Sequence, residues 1–550
     1  MNVAEAVGRA VAELAKAGPG EPRAFGVVGS GNFHVTNALV RHGVPFVAAR
    51  HEGGAITMAD AYARLTGTVG VVSVHQGPGL TNALTGLAEA AKSRTPLLVL
   101  AGEATSPTSN FRVDQDALAA AVGAAAERVR SPETALDDVA RAWRAARDGR
   151  TVLLNLPLPV QESALPGTFR TPEVPDPVPA EPDPAGVEAL AGLLAAAERP
   201  VFVAGRGARG ARHELEALGE RAGALLATSA VAKGLFRGGP WDLDVSGGFS
   251  SPLAAELIAG ADLIVGWGCA LNMWTMRHGR LIGPGAKVAQ VDHDPAALGA
   301  HRPVDLGVTG DVAAVARAVT DALDRLGAPA GGRYRAPEVG RRIAARIRWR
   351  AEPYRDETGG GRIDPRTLTI RLDDLLPAER VVAVDSGNFM GYPSMFLSVP
   401  DENAFCFTQA FQSVGLGLAS AIGAALAQPH RLPVAALGDG GAFMAAAELE
   451  TVVRLGLPML VVVYDDEAYG AEIHHFGPDG HPLDLVEFPP ADLAAVGRGF
   501  GFEAVTVREP ADLAAVADWV KGPRDRPMLV DAKVTRERGA WWLEEAFRGH

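Results

Sequence analysis

Residues 432–441 read LPVAALGDGG, and residues 458–470 read PMLVVVYDDEAYG. Between them lies AFMAAAELETVVRLG, residues 442–456, with apolar positions at helical spacing. Both flanking runs are continuously apolar rather than alternating, as strands of a parallel sheet covered on both faces are. A strand, a helix and a second parallel strand carry two strand ends to one edge of a sheet. Gly438, Asp439, Gly440 and Gly441 close the first strand, and Asp465 and Asp466 close the second. Glycines at that point let backbone N–H groups approach a phosphate at a helix N-terminus. Asp466 follows Asp439 by 27 residues, one such unit, so the two carboxylates stand side by side. With a diphosphate they complete the oxygen-rich octahedral shell that Mg2+ prefers. A GDG alone is a common strand-to-helix turn; the acidic pair after the next strand makes the pattern specific.

The same alternation extends outward from this unit. AFGVVGS, PFVAAR, VGVVSVH, PLLVLAGE and TVLLNLP read as buried strands in the N-terminal part. PVFVAGRG, DLIVGWG and KVAQVD do so in the middle, and RVVAVDSG and PMLVDAKV join the opening pair in the C-terminal part. Two Pro-rich segments, 156–184 and 327–361, have the composition of extended connectors. The expected fold class is therefore α/β, with three doubly wound parallel-sheet domains at 1–165, 186–327 and 362–537. Ligands in such folds sit at the carboxyl ends of strands.

The chain has 550 residues and a formal net charge of −13, which disfavours nucleic acid or an anionic membrane as partner. Residues 404–430 carry no Asp, Glu, Lys or Arg, but Gln409, Gln412, Ser413 and several glycines argue for a strand end, a turn and a buried helix, not a membrane span. Two distant cysteines, Cys269 and Cys406, form no disulfide framework, and residues 1–18 read as an amphipathic helix without a signal-peptide core. The expectation is a cytoplasmic protein.

The GDG followed one unit later by a polar pair resembles the thiamine-diphosphate motif, which ends in Asn-Asn where this chain has Asp465-Asp466. RHEGGAITMADAYARLTG (50–67), QGPGLTNAL (76–84) and AFQSVGLGLASAIGAALA (410–427) resemble segments of the acetohydroxyacid (acetolactate) synthase and benzoylformate decarboxylase family. The resemblance spans the whole chain in the order pyrimidine, central and diphosphate domain. It implies thiamine diphosphate and Mg2+ as cofactors, the metal being held by the side chains of Asp439 and Asp466 and the carbonyl of Ala468. An Asp in place of an Asn adds a negative charge beside the diphosphate, which the cation must offset.

By the same resemblance Glu52 is the acid that hydrogen-bonds N1′ of the aminopyrimidine, and its neighbours Ala55, Ile56 and Met58 are expected to raise its pKa. The C2 ylid so formed attacks a 2-oxoacid, and the ring takes up the electrons left by CO2. Val414 corresponds to the bulky residue under the cofactor, with Ser413 and Gly415 flanking the aminopyrimidine. Ser386, Gly387 and Asn388 are placed at the diphosphate, with Gly438, Gly440, Gly441, Tyr469 and Gly470 completing the cofactor site. His75 matches an active-site histidine of benzoylformate decarboxylase, and Gln115 is a further catalytic candidate. Weaker ones are Gln76, His34, His474, His475, Ser30 and Asn32, and Trp541 and Trp542 serve either as a lid or as an anchor for the chain end.

The central DLIVGWGCALNMWT lacks the Arg-Phe-Asp-Asp string of the synthases, which gives poor grounds for FAD. The reading is an acetolactate-synthase-like enzyme acting on a small-molecule 2-oxoacid by decarboxylation and carboligation. Its alternatives are a benzoylformate-decarboxylase-like decarboxylase or C–C lyase, and a non-catalytic cofactor-binding scaffold. A nicotinamide dehydrogenase is disfavoured because GVVGSGNFH lacks the G-x-G-x-x-G spacing. The family's active site needs two chains, so the expected assembly is a homodimer at least and commonly a homotetramer.

Overall fold

The computed structural model describes residues 1–329 and 333–542. Among the described residues, eighteen strands form three six-stranded sheets in which every pairing is parallel. The first sheet contains β1 (Ala24–Gly26), β2 (Phe46–Ala48), β3 (Gly70–Val74), β4 (Leu97–Glu103), β5 (Ala125–Arg128) and β6 (Thr151–Pro157). The second contains β7 (Pro200–Ala204), β8 (Leu225–Thr228), β9 (Asp242–Val245), β10 (Leu263–Trp267), β11 (Lys287–Asp292) and β12 (Leu306–Thr309). The third contains β13 (Arg380–Val384), β14 (Phe405–Phe407), β15 (Leu432–Gly438), β16 (Leu460–Asp465), β17 (Glu503–Val507) and β18 (Met528–Lys533). The three doubly wound α/β units are thus as the strand pattern implied.

The outer two sheets share one topology, β2-β1-β3-β4-β6-β5 and β14-β13-β15-β16-β18-β17. The middle sheet runs β12-β11-β10-β7-β8-β9, the order of dinucleotide-binding folds, with its switch point between β7 and β10. The outer units also meet directly. Helix Glu52–Thr66 of the first lies along helix Gly417–Ala427 of the third. A Cβ on Gly423 would stand 2.2 Å from the Met58 carbonyl oxygen, so only glycine permits this approach. Ile56, Met58 and Ile422 are fully buried in the shared core, each side chain contributing about 1.5–3 kcal/mol.

Residues 404–430 form β14, a loop and the buried helix Gly417–Ala427, and among the described residues no helix is long and apolar enough to cross a membrane. The second Pro- and Gly-rich segment is not simply an extended connector. It holds helix Pro337–Arg346, and Tyr334, Ile343 and Ile347 bury themselves in the core of the middle domain. Local composition signals a break in regular structure, whereas three spaced apolar side chains suffice to dock it.

Candidate functional site

The third sheet builds one half of the site from adjacent strand ends. Val384 of β13 pairs with Ala436 of β15, and Gly438 pairs with Tyr464 of β16. The segments leaving these strands, Asp385–Asn388, Asp439–Gly441 and Asp466–Gly470, therefore emerge together. They line a cavity of about 1240 Å3 whose walls come from all three domains. Ser386, Gly387, Asn388, Val414, Gly438, Asp439, Gly440, Gly441, Asp466, Ala468, Tyr469 and Gly470 all face it; Ser413 and Gly415 sit in the loop on either side of Val414. The turn around the two aspartates has no room for side chains. A Cβ on Gly470 would stand 2.2 Å from Asp466 Oδ2, and one on Gly440 2.7 Å from the Tyr469 ring.

Asp439 and Asp466 are buried. Burial and the neighbouring Asp466 carboxylate push Asp439 well above the ordinary carboxylate range, and burial raises Asp466 as well. Among the described residues no group of three or more His, Cys, Asp or Glu side chains could hold a metal. Two carboxylates are nevertheless joined by an orphan: Asn388 donates to Asp466 Oδ2 at 3.4 Å, and its own Oδ1 is buried without a partner. Such an acceptor-rich pocket fits a divalent cation completed by non-protein oxygens. The buried Gln409 Nε2, also facing the cavity, is a donor without an acceptor.

Asp465 adds to the repulsion and raises both carboxylates, but it also has its own cation. Asp465 and Lys533 are register partners on β16 and β18. Lys533 donates to the Asp465 carboxylate and lies 3.3 Å from Asp531, all three groups being buried. Burial disfavours the ammonium, but Asp465 and Asp531 together more than offset this and hold Lys533 above its usual pKa. The charge of this Asp is thus partly offset inside the sheet. Replacing Lys533 with Met should destabilise the chain by about 3–5 kcal/mol, the cost of stranding a buried charge. Urea unfolding measures this, and a loss under 1 kcal/mol would contradict the pairing.

The other half lies on the first sheet. Gly26 of β1 pairs with Ala48 of β2 and Ser73 of β3, so the segments carrying Ser30, Glu52 and His75 leave together. Glu52 opens its helix and is half-exposed; Asn82 Nδ2 donates to its Oε2 at 3.0 Å. Ala55, Ile56 and Met58 are buried in the core, whereas Glu52 itself is only partly buried. Gly31 N–H donates to His75 Nδ1 at 3.1 Å, and the Phe111 ring stands 5.3 Å from the imidazole. Burial holds His75 below its usual pKa against the pull of Glu52, so the imidazole is neutral with its proton on Nε2.

Not every candidate reaches a hollow. Gln115 is buried, and its amide donates to Asn155 Oδ1 at 2.6 Å. Asn32 is buried and spends its amide on the Val27 carbonyl and Ser73 Oγ. Trp542 is buried against Tyr392 and Phe249, which makes the tryptophan pair an anchor for the chain end. Most important, Glu52, His75 and Gln115 do not line the cavity that holds the aspartates. Sequence reasoning missed Lys533 and Asn82. A lysine ending the apolar run PMLVDAK was the available signal for the first.

Residues 5–124 match the N-terminal TPP binding domain of the thiamine pyrophosphate enzymes, residues 187–319 their central domain and residues 385–532 their C-terminal TPP binding domain. The chain is 30% identical over 507 residues to a Pseudomonas aeruginosa protein named "Probable 2-ketoarginine decarboxylase AruI", covering 89% of this chain and 87% of that one. It is 29% identical over 563 residues to sulfoacetaldehyde acetyltransferase of Rhodobacter capsulatus, covering 95% and 93%. With the acetolactate synthase isozyme 2 large subunit of Escherichia coli it shares 29% over 535 residues, 94% of each chain.

Proposed function

The chain belongs to the thiamine pyrophosphate enzyme family, and on that footing we propose that it is a Mg2+-dependent, acetolactate-synthase-like enzyme that decarboxylates a 2-oxoacid and ligates the product to a second carbonyl. One observation carries the reading: three strand ends converge on two facing aspartates, an orphaned amide oxygen and a turn that only glycine can make. When bound, thiamine diphosphate supplies a carbon nucleophile that also serves as the electron sink for CO2 loss. Asp439, Asp466 and the Ala468 carbonyl would hold Mg2+, with Ser386, Asn388 and the Gly438–Gly441 turn around the diphosphate.

The rest of the chemistry falls to side chains of this chain. Asn82 occupies Glu52 Oε2, which leaves Oε1 as the oxygen that would hold a proton for N1′ of a bound aminopyrimidine. Neutral His75 presents Nε2–H, able to orient a carboxylate or to deliver a proton to product. That donor favours a second reading, in which the product is protonated and released instead of ligated. The reading includes no flavin, since the Arg-Phe-Asp-Asp string is missing from the central domain.

We propose that a second copy completes each site. In one chain the Glu52 half is separate from the aspartate cavity. Apolar side chains stand exposed on both halves, Phe33 at 52% and Phe111 at 44% on one, Val414 at 37% and Met444 at 58% on the other. Pairing the halves between chains covers both and gives a homodimer at least, or a homotetramer. Co-expressing Glu52→Gln chains with Asp439→Ala chains should restore activity that neither has alone, because one of the two sites in the mixed dimer is intact. No restoration in a purified mixed dimer would contradict shared sites. Incubation with thiamine diphosphate, Mg2+ and a panel of 2-oxoacids should release CO2, and product analysis separates ligation from release. A cofactor-loaded protein that releases CO2 from none of them would overturn the 2-oxoacid reading.

A further inference from the structure

The loop 407–416, which carries Val414 into the cavity, is gripped at both ends by buried carboxylates. At its start Glu89, on helix Pro78–Lys92 of the first domain, accepts from the backbone N–H of Ala410 at 3.1 Å and of Phe411 at 2.6 Å. Arg64 fixes Glu89 at 2.9 Å and donates to the Phe407 carbonyl at 3.2 Å. At its end Asp385 accepts from Gly415 N–H, 3.0 Å from each oxygen, and from Leu416 N–H at 3.1 Å. Glu89 and Asp385 are 1% and 0% exposed. Between the two grips Gln412, a non-glycine residue, has φ +60°, in the left-handed region, and Val414 follows it into the cavity. A loop bent against its preference relaxes unless its surroundings over-determine it. Charge-assisted hydrogen bonds from four backbone N–H groups supply that constraint.

We propose that Glu89 and Asp385 are positioning residues that set the height of the Val414 ledge beneath the cofactor, which ties one domain's helix to the other domain's half of the site. This rests on the thiamine-diphosphate reading above. Glu89 also belongs to the helix that carries Asn82, the partner of Glu52. One rigid rod therefore touches the acid of one half-site and the ledge of the other.

The test uses Glu89→Gln and Asp385→Asn in the full chain, with hydrogen–deuterium exchange at C2 of bound thiamine diphosphate followed by NMR. Both variants should take up thiamine diphosphate and Mg2+, yet C2 exchange should slow by roughly 10–100-fold, the penalty of a displacement near 1 Å. Backbone amide exchange in the cofactor-free chain should rise at 410–411 in the first variant and at 415–416 in the second. Should Glu89→Gln not fold, Glu89→Asp keeps the charge, draws the carboxylate back by one methylene and carries the same expectation. C2 exchange within twofold of the parent in folded, loaded variants would overturn the clamp and leave the functional reading standing. A parent chain that takes up no thiamine diphosphate would overturn that reading, and the clamp with it.

Discussion

Glu52→Gln should bind thiamine diphosphate and Mg2+ as the parent does, yet turn over about 10²–10⁴ times more slowly, the usual worth of a positioned proton donor. The amide has the shape of the acid and still accepts from Asn82, so the half-site keeps its geometry. What it lacks is an exchangeable proton of the right acidity at the free oxygen. Because Glu52 is half-exposed in a single chain, its environment is completed by whatever covers it. Calorimetry for cofactor uptake, paired with turnover on the best 2-oxoacid, separates the two effects. Activity within threefold of the parent would remove Glu52 from the mechanism, and loss of cofactor binding would recast it as a structural residue.

Asp439→Ala should act on the opposite side of the ledger, abolishing uptake rather than chemistry. Asp439 follows β15 as the first residue of the next helix, buried and facing Asp466. With it gone, one carboxylate and a carbonyl remain for the cation. Residues merely standing behind a metal ligand are worth about 10–100-fold in affinity, so losing a ligand should cost at least that. The substitution also removes one of two buried carboxylates that disfavour each other's charge in the cofactor-free chain. The cofactor-free variant should therefore melt no lower than the parent, and addition of Mg2+ with thiamine diphosphate should raise the parent's melting temperature alone. An equal shift in both proteins would show that the cation is held elsewhere.

Much of the architecture was legible because it obeys local rules. Continuous apolar runs ending in Ser386–Asn388, Gly438–Gly441 and Asp465–Asp466 identify covered parallel strands and the edge at which they end. The carboxylates at that edge are likewise readable by counting one strand–helix–strand unit from Asp439 to Asp466. Glu52 and His75, each just past a strand, follow from the same rule. Gln115 shows where the rule stops: a polar residue beginning a helix looks available, but Asn155, forty residues on, claims its amide.

The folded chain settled the partnerships. Nothing in the sequence near Asp465 says that its charge is met by Lys533, since that pairing depends on β18 lying beside β16 in a particular register. Nor could Glu89 be linked to a loop 321 residues away. The division of the site into a cavity on one face and an open acid on another is of the same kind. Strand, turn and helix are dictated over a few residues by backbone sterics and apolar periodicity. Which buried charge meets which, and which residues line a hollow, is dictated by the close packing of distant segments, for which short stretches of sequence hold no record.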